Sequence, residues 1–456
     1  MPAQKAPVPS SPEQMLLDRA EAAIGQARKI GAEHADVIVV SSTSLGVNVR
    51  LGVLEEIERS ESTDLGLRVI IDQGQAIVSS TDLSDHALQS LAERAVAMAR
   101  QAPKDPHCGL VAPELLARNI AALDLCDTLE PSTQTLVDMA QACESAGRSV
   151  AGITNSEGGS AGYGRSQICL MTSHGFAGSY AGTHSSLSCA LVAGEGQGME
   201  RDYAFTSRRH MSDLSGPEAI GREAAKRTLA RLNPRKVPSA KVPVVFDPRI
   251  GNSLIGHLAG AISGPAIARG TSFLTRHMGK PLFGPGIRVV DDPQRPRGMR
   301  SKPFDGEGVT TRKHDVVEDG HLRSWLLDRA SAHQLGLTTT GHASRGTGGP
   351  PSPSPTNFYL GAGQMSAEEL IGDIEEGFYV SELIGMGVNT VTGDYSRGAA
   401  GFWIEKGRLS YPVSEVTIAG NLLDMYRNLT PANDLEFLYG MDVPTIRIAE
   451  MTIAGT

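Results

Sequence analysis

The spacing of apolar residues predicts a short amphipathic helix early in the second half of the chain. In residues 250–263, IGNSLIGHLAGAIS, apolar side chains recur at helical intervals, so one face of the helix is apolar. A single helix in a half of the chain that otherwise has the pattern of strands is expected to be buried. It carries His257 in a Gly- and Ala-rich setting that lets another backbone approach closely. His257 is therefore a candidate contact to a substrate.

The first half predicts both helices and strands. Ser11, followed by Pro and then by Gln three residues on, is a typical helix start, and the apolar stripe behind it runs to about Ala32. Apolar runs between Gly and Asp turns indicate an antiparallel meander, with strands at 35–41, 45–51, 54–59, 67–72 and 75–80. Helices are predicted at 84–101 and 132–146, and long strands over 151–209. A capping box of Ser215 and Glu218 predicts a further helix to about Leu232.

The second half predicts mainly strands. Asp319-Gly320 and Lys406-Gly407 each stand between apolar runs and indicate hairpins. Residues 344–355, SRGTGGPPSPSP, have the composition of a mobile loop, and short helices are predicted at 366–376 and 421–429. Three prolines in 233–243 mark a domain boundary. The expected fold class is α+β. It comprises a disordered lead-in (1–12), an N-terminal mixed α/β domain (13–235) and a C-terminal, largely antiparallel β domain with few helices (242–456).

Composition narrows the possible partners and location. Apolar residues make up 40% and charged residues 20%, which is ordinary for globular proteins. The net charge of -9 argues against nucleic acid as a partner. The polar, Pro-rich start has no signal-peptide core, and no apolar run reaches the length of a membrane span, so a cytoplasmic protein without membrane contact is expected. The five cysteines lie in the first half without a CxxC pair, which is typical of reduced structural thiols.

Motifs for catalysis are weak. A zinc helix of the HExxH type needs a second His and a Glu near the first, yet no His or carboxylate lies within five residues of His257. Residues 158–162, GGSAG, match GxSxG formally, but a strand-like run follows them where a nucleophile elbow needs a helix, so a turn is predicted. Asp291, Asp292, Asp305 and Glu307, with basic residues between them, predict a salt-linked loop, or alternatively the lining of a groove.

A second candidate site lies near the end of the chain. In residues 393–403, GDYSRGAAGFW, Asp394, Ser396, Arg397 and Phe402 stand between strand signals. The Gly-rich backbone here could let an extended peptide lie alongside. These four residues and His257 are the predicted substrate-binding set.

Ordered segments of the second half resemble the TldD/PmbA family, and within it the PmbA (TldE) branch. They include LIGHLAGAISG, SKPFDGEGV, DGHLRSWLLD, VTGDYSRGAAGFWIEKG and YPVSEVTIAGNL. The TldD members of that family resemble zinc proteases with a His-Glu pair and a second His on the helix, plus a Cys near the C-terminus. Here Gly256 and His257 stand in place of the pair and Ala261 in place of the second His, and the second half has no Cys. The resemblance implies a subunit with no metal ligands and no catalytic residues of its own.

The resemblance also implies a function. It predicts a cytosolic TldD–TldE heterodimer that encloses a cavity and degrades unfolded peptides, such as an antitoxin and a microcin precursor, with the zinc in the TldD-type partner. Residues 394–402 and the loop after Ser344 are then expected to be groove or gate elements. Two alternatives stay open. One is a self-sufficient metallopeptidase homodimer that uses His257 with His314 or Asp305, and the other is a non-enzymatic regulator of gyrase.

Overall fold

The computed structural model describes residues 11–455 of the chain. The predicted lead-in therefore lies outside the described residues except for Ser11 and Pro12. The hydroxyl of Ser11 accepts a hydrogen bond from the backbone N–H of Gln14 at 3.2 Å, and Pro12 is the first residue of the first helix. The predicted helix start is confirmed.

The described part of the first half, residues 11–235, contains four α-helices and six strands, besides short 3-10 turns. In chain order these are α1 (Pro12–Lys29), β1 (His34–Arg50), β2 (Val53–Ile71), β3 (Gly74–Ser80), α2 (Asp85–Gln101), α3 (Thr133–Arg148), β4 (Ile153–Thr172), β5 (Ala177–Ala193), β6 (Glu200–Arg208) and α4 (Pro217–Ala230). The strands form one antiparallel sheet in the order β3-β2-β1-β4-β5-β6. We call it the N-terminal sheet.

The two faces of the N-terminal sheet have different neighbours because side chains alternate along each strand. Odd-numbered residues of β1, such as Val37 and Val47, pack in the two cores formed with the four helices. Even-numbered residues, such as Ile38, pack in a third core with Phe304 and Val309 of the second half. The second half of the chain therefore covers the face that the helices leave open.

Four predictions for the first half were wrong. Residues 35–41 and 45–51 belong to the single strand β1, and 54–59 and 67–72 to the single strand β2, because polar residues between them continue the ladder. Residues 158–162 lie inside β4 and not in a turn. A Cβ at Gly159 would come within 2.5 Å of the Ala140 carbonyl of α3, so glycine here allows a helix to pack closely on the strand. Helix α4 is capped by Gly216 without a side-chain hydrogen bond, so the predicted capping box is absent.

The second half contains short helices among many strands. In chain order these are β7 (Ala240–Phe246), α5 (Pro248–Ala261), α6 (Gly264–Ala268), β8 (Val289–Asp291), β9 (His314–Glu318), β10 (His321–Leu322), α7 (Arg329–Gln334), β11 (Ala343–Ser344), β12 (Ser352–Pro353), β13 (Phe358–Leu360), α8 (Ala367–Gly372), β14 (Glu376–Ile384), β15 (Asp394–Glu405), β16 (Arg408–Asn421), α9 (Leu422–Arg427), β17 (Leu429–Pro431), β18 (Met441–Asp442) and β19 (Ile446–Ala454). Both predicted hairpins are present, as β9–β10 and β15–β16.

A closed sheet forms the centre of the second half. Its order is β16-β15-β14-β7-β19-β17, and β16 also pairs with β19, so five strands close into a barrel. Only the β14–β7 pair in this sheet is parallel. A second sheet has the order β10-β9-β8-β13-β18. The α+β fold class, with few helices in a largely antiparallel C-terminal half, is confirmed.

A buried ion-pair network joins the two halves. Asp36 of β1 accepts hydrogen bonds from Arg68 of β2, at 2.8 Å from Nε, and from the guanidinium of Arg345. The Arg345 side chain is 0% exposed. A Cβ at Gly66 would come within 2.3 Å of the Thr347 carbonyl. The start of the Pro-rich loop predicted to be mobile is thus packed against the N-terminal sheet.

No helix within residues 11–455 has the length and apolarity needed to cross a lipid bilayer.

Candidate functional site

Helix α5 stands in the core of the second half. The Asp247 carboxylate accepts a hydrogen bond from the Arg249 N–H at 2.9 Å, and Pro248 occupies the first turn, so the sequence defines the helix start. Its predicted apolar face is buried, as Leu254, Ile255 and Leu258 show. The Tyr426 hydroxyl donates to the Leu254 carbonyl at 2.8 Å and ties the helix to α9. The predicted helix and its burial are confirmed.

His257 lies on the half-buried side of α5 and faces strand β15. Its ring meets the ring of Tyr395 edge-on, with centroids 6.1 Å apart and planes at 73°. Its Nε2 atom is buried and has no hydrogen-bond partner among residues 11–455. Burial lowers the pKa of His257, and the positive charge of Arg397 lowers it further. The imidazole is therefore held in its neutral form with one nitrogen free.

Tyr395 and Arg397 complete this cluster from β15. They are two residues apart on a strand, so their side chains leave the same face of the sheet. Tyr395 is 1% exposed, yet its hydroxyl has no hydrogen-bond partner in the part of the chain that the structure describes. Burial raises the pKa of Tyr395 to about 12, so the hydroxyl stays protonated. The Arg397 Nε atom is likewise buried without a partner within the described range.

Asp394 and Ser396 do not join the cluster. Asp394 accepts hydrogen bonds from the Thr392 hydroxyl at 2.6 Å and from the Asn421 amide at 3.2 Å, and these bonds lower its pKa. It therefore stabilises the turn before β15. Ser396 is exposed, and its backbone N–H donates to the Gly387 carbonyl at 2.7 Å. Both residues alternate in the strand with Tyr395 and Arg397, which explains why they point elsewhere.

Phe402 lies in a different place from the other predicted site residues. It lines a cavity of about 520 Å³ between α4 and the barrel, and none of the other four predicted residues lines that cavity. Arg249, which also lines it, pairs with Asp202 at 3.1 Å. The predicted substrate-binding set is therefore divided between two places. His257 and Arg397 are brought together, while Phe402 is separate.

Sequence reasoning missed Tyr395, although it stands between two residues that were chosen. The strand pattern of 394–405 contains the signal, because a two-residue period puts Tyr395 beside Arg397 and excludes both of its immediate neighbours. The cluster of His257, Tyr395 and Arg397 is the candidate site, and we call it the α5–β15 cluster.

The donor set of the α5–β15 cluster does not fit a divalent metal. A zinc site needs about three protein ligands among His, Cys and carboxylates. His257 is accompanied instead by a neutral phenol and a guanidinium, whose positive charge opposes a second cation. Within residues 11–455, no three His, Cys, Asp or Glu side chains are grouped so that they could hold a metal ion. The cluster instead suits an oxygen that accepts hydrogen bonds, such as a peptide carbonyl or a carboxylate.

The two remote residues considered as partners of His257 are engaged elsewhere. His314 lies beside His342, with ring centroids 5.2 Å apart, and burial lowers its pKa to about 4. Asp305 accepts hydrogen bonds from three backbone N–H groups, those of Glu307, Val309 and Ala343. Among the described residues, no hydrogen bond or ring contact links His257 to either of them.

The acidic patch predicted as a salt-linked loop is mostly buried. Asp291 is 0% exposed and accepts hydrogen bonds from the Thr356 N–H at 2.7 Å and from its hydroxyl. Burial raises the pKa of Asp305 to about 6 and that of Glu307 to about 8. The salt-linked prediction was wrong for Asp305 and Glu307, because backbone N–H groups supply their hydrogen bonds. Asp291 lies 3.2 Å from His342 Nε2, and Asp292 lies 3.8 Å from Lys313 Nζ.

Comparison with known proteins now identifies the class of protein. Family profiles of the PmbA/TldA metallopeptidase match in order, with domain 1 at 35–99, the central domain at 126–232 and the C-terminal domain at 239–455. The chain therefore belongs to the PmbA/TldA metallopeptidase family, as its sequence motifs predicted.

Individual relatives are similar over nearly their whole length. Metalloprotease PmbA of Escherichia coli O157:H7 is 40% identical over 93% of each chain, and the Metalloprotease PmbA homolog of Haemophilus influenzae is 35% identical over 97% of each. A solved structure from Bacteroides thetaiotaomicron, described as a candidate modulator of DNA gyrase, is 26% identical with a TM-score of 0.89, covering 96% of this chain and 98% of that one. TldE from Thermococcus kodakarensis has the same fold, with a TM-score of 0.86 at 22% identity, covering 96% of this chain and 100% of that one.

Proposed function

We propose that this chain is the PmbA/TldE-type subunit of a cytosolic two-subunit metalloprotease that degrades unfolded peptides. In this proposal a TldD-type partner supplies the zinc that activates water. This chain forms part of the cavity wall and holds the substrate. Antitoxin and microcin-precursor segments are the substrate type that the family resemblance suggests.

The α5–β15 cluster contains buried polar atoms that a bound peptide could satisfy. Three buried atoms of the α5–β15 cluster, His257 Nε2, the Tyr395 hydroxyl oxygen and Arg397 Nε, meet no partner of good hydrogen-bond geometry among the described residues, although the Arg397 guanidinium lies close enough to Tyr395 to act on its hydroxyl. A buried polar group without a partner costs on the order of 1–3 kcal/mol, so a ligand that supplies oxygen atoms offsets a cost already present in the free subunit. A peptide offers such oxygens at every residue. The guanidinium, in contrast, disfavours a metal ion.

Measurements of zinc content and peptide cleavage test whether the partner subunit, and not this chain, supplies the zinc. The full chain is purified alone and together with a TldD-type partner, and zinc and cleavage of an unfolded protein such as casein are measured. We expect the chain alone to hold no stoichiometric zinc and to cleave nothing, while the mixture does both. Zinc and cleavage by the chain alone would overturn the proposal in favour of a homodimeric metallopeptidase.

The binding role of the cluster has its own test in the two-subunit complex. Arg397→Gln and Tyr395→Phe are expected to raise KM for a peptide at least several-fold while zinc stoichiometry stays unchanged, because they remove donors to the substrate and no metal ligand. Arg408→Gln, an exposed residue on the neighbouring strand β16, is the control and should leave KM unchanged. An unchanged KM in all three variants would contradict a substrate contact at this cluster.

The chain purified alone and with its partner also distinguishes a protease subunit from a non-enzymatic regulator of gyrase. If this chain alters gyrase activity to the same extent with and without the partner subunit, a contact-only regulator explains the result better than a protease subunit. We expect any such effect to require the partner.

A further inference from the structure

A cavity of about 510 Å³ lies between the N-terminal sheet and the second half of the chain. Its floor is made by even-numbered residues of β4 and β5, including Ser166, Tyr180 and His184, on the face that the helices leave open. Residues 299–302 and 354–355 form the opposite wall. A cavity of this size is in the range of small-molecule sites.

The charged residues that line this cavity have one sign. Arg209, Arg300 and Lys302 line it together with His184, and none of the described residues that line it is Asp or Glu. This is unusual for a protein with a net charge of -9. The 520 Å³ cavity around Phe402, in contrast, mixes three basic residues with Asp202, Glu223 and Asp247. The cavity on the N-terminal sheet thus differs from the Phe402 cavity in having several basic lining residues and no acidic one.

Neither Arg209 nor Lys302 forms a direct ion pair among the described residues, although Lys302 has acidic neighbours. The Arg209 guanidinium donates to three backbone carbonyls, those of Thr183, Gly298 and Met299, at 2.6–3.2 Å, and it forms no ion pair with the described carboxylates. The Lys302 ammonium donates to the Ser344 hydroxyl at 3.3 Å. Burial lowers the pKa of both Arg209 and Lys302, although Asp305 and Asp291 lie near enough to Lys302 to oppose the change.

A neutral hydrogen-bond donor, the phenol of Tyr180, stands beside these charges. Tyr180 lines the cavity, and burial raises the pKa of its hydroxyl to about 12, so the hydroxyl keeps its proton at neutral pH. The hydroxyls of Ser301 and Ser354 on the opposite wall already donate to the carbonyls of Arg295 and Pro355, at 2.6 and 3.4 Å, so they add no free donor. Charged and neutral donors around one cavity are the arrangement that binds phosphate or carboxylate oxygens.

We propose that this cavity is a binding site for a small organic anion that carries phosphate or carboxylate groups. Lys302 and Arg209 provide the charge, and Tyr180 provides a neutral donor. Because the cavity joins the N-terminal sheet to the wall at 299–302, an anion bound there contacts both halves of the chain. The site is separate from the α5–β15 cluster, since the two share no residue, so this inference does not depend on the proposed function.

Calorimetric titration of the full chain with inorganic phosphate, and separately with succinate, tests the proposal. Ionic strength is held constant with sodium chloride so that general screening is equal in all samples. We expect saturable binding of at least one of the two anions. Binding of phosphate alone indicates a phosphate-bearing ligand, and binding of succinate alone indicates a carboxylate-bearing one.

Variants locate the binding. Lys302→Gln removes a charge, and Ser354→Asp adds an opposing carboxylate without touching the basic residues, so each should weaken binding at least ten-fold. Arg209→Gln is not used, because Arg209 donates hydrogen bonds to three backbone carbonyls and its loss would also disturb the local fold. Arg288→Gln is the control, since Arg288 lines a different cavity of about 520 Å³ and pairs with Asp315 at 2.6 Å. Absence of saturable binding to the unaltered chain, or equal binding by Lys302→Gln, Ser354→Asp and the control, overturns the proposal.

Discussion

The guanidinium of Arg345 pairs with the carboxylate of Asp36, 309 residues earlier in the chain, with the arginine side chain completely buried. Arg68 occupies the second carboxylate oxygen of Asp36, at 2.8 Å from its Nε. One carboxylate thus connects the first two strands of the N-terminal sheet to the Pro-rich loop of the second half. Because one buried carboxylate serves two guanidiniums, removing Asp36 leaves both arginines uncompensated, whereas removing either arginine leaves the other paired with Asp36.

Asp36→Leu should therefore lower the free energy of unfolding by about 3–5 kcal/mol, the range for removing one partner of a buried pair and leaving the other charge uncompensated. The measurement is the midpoint of thermal or urea unfolding. Arg59→Leu is the control, since Arg59 forms an exposed pair with Glu61 and its removal should leave the midpoint nearly unchanged. Equal midpoints for the two variants would show that the buried network contributes no more than a surface pair.

Asp36 also predicts an acid dependence of stability. Burial alone would raise the pKa of Asp36, but the charges of Arg345 and Arg68 outweigh it and hold the pKa below its ordinary value of 3.8. The stabilisation is complete above pH 3.8 and is lost as the pH falls through the folded-state pKa. We expect the stability difference between the unaltered chain and Asp36→Asn to shrink below pH 3.8. A difference that is constant down to pH 2 would contradict this.

Burial of Glu307 predicts the opposite pH dependence of stability, with stability lost as the pH rises. Burial raises its pKa to about 8 from an ordinary value of 4.5, so the folded state keeps a proton that the unfolded state releases. The contribution of Glu307 to the free energy of unfolding is fully present below pH 4.5. It is lost as the pH rises toward 8, and the loss is on the order of a few kcal/mol. Glu307→Gln should flatten this slope between pH 5 and 8. Glu318→Gln, in an exposed position on β9, should leave the slope as it is.

Gly221 marks the close contact of helices α3 and α4. A Cβ at this position would come within 2.0 Å of the Cys143 carbonyl, so Gly221→Ala should force the helices apart and lower the unfolding midpoint. Gly25→Ala in helix α1 is the matched control, because nothing lies within 4 Å of its added Cβ. We expect that control to stabilise the chain by about 0.5–1 kcal/mol. If both substitutions were stabilising, the close approach of the two helices at Gly221 would not limit their packing.

Within the α5–β15 cluster, the charge of Arg397 can be measured through its neighbour. Burial and then Arg397 lower the pKa of His257, so Arg397→Gln should raise that pKa part of the way toward 6.5. The titration of the His257 ring signals by NMR gives the value. Arg408→Gln, at the tip of the β15–β16 hairpin, should leave it unchanged. An unchanged pKa in both variants would mean that Arg397 does not lie beside the imidazole.

The most accurate sequence predictions concern helix starts and turns, which a few adjacent residues determine. Helix starts at Ser11, Ser84 and Ser132 and turns at Asp319-Gly320 and Lys406-Gly407 are confirmed because a cap or a turn is set by a few adjacent residues. Helix α5 was predicted correctly because its apolar face is continuous. The family could be recognised from motifs in the second half alone.

Long-range features were predicted less well. Strand β1 was divided because Ser41–Ser44 are polar, although their pairing with both β2 and β4 keeps the ladder continuous. The pairing of Arg345 with Asp36 has no local signal, since the two lie in different halves of the chain. The candidate site was found only in part, because Asp394 and Ser396 were chosen by residue type and the alternation that selects Tyr395 was not applied.

The ion pair between Asp36 and Arg345 can form only after the ribosome has synthesised the second half of the chain as far as Arg345. Synthesis adds roughly 5–20 residues per second, so the 309 residues between them take about 15–60 s to emerge. Once β6 (Glu200–Arg208) has been made, the N-terminal sheet can hold Asp36 and Arg68 on a face that no second half yet covers. Completion of this sheet's final contacts is therefore timed by translation of the distant loop.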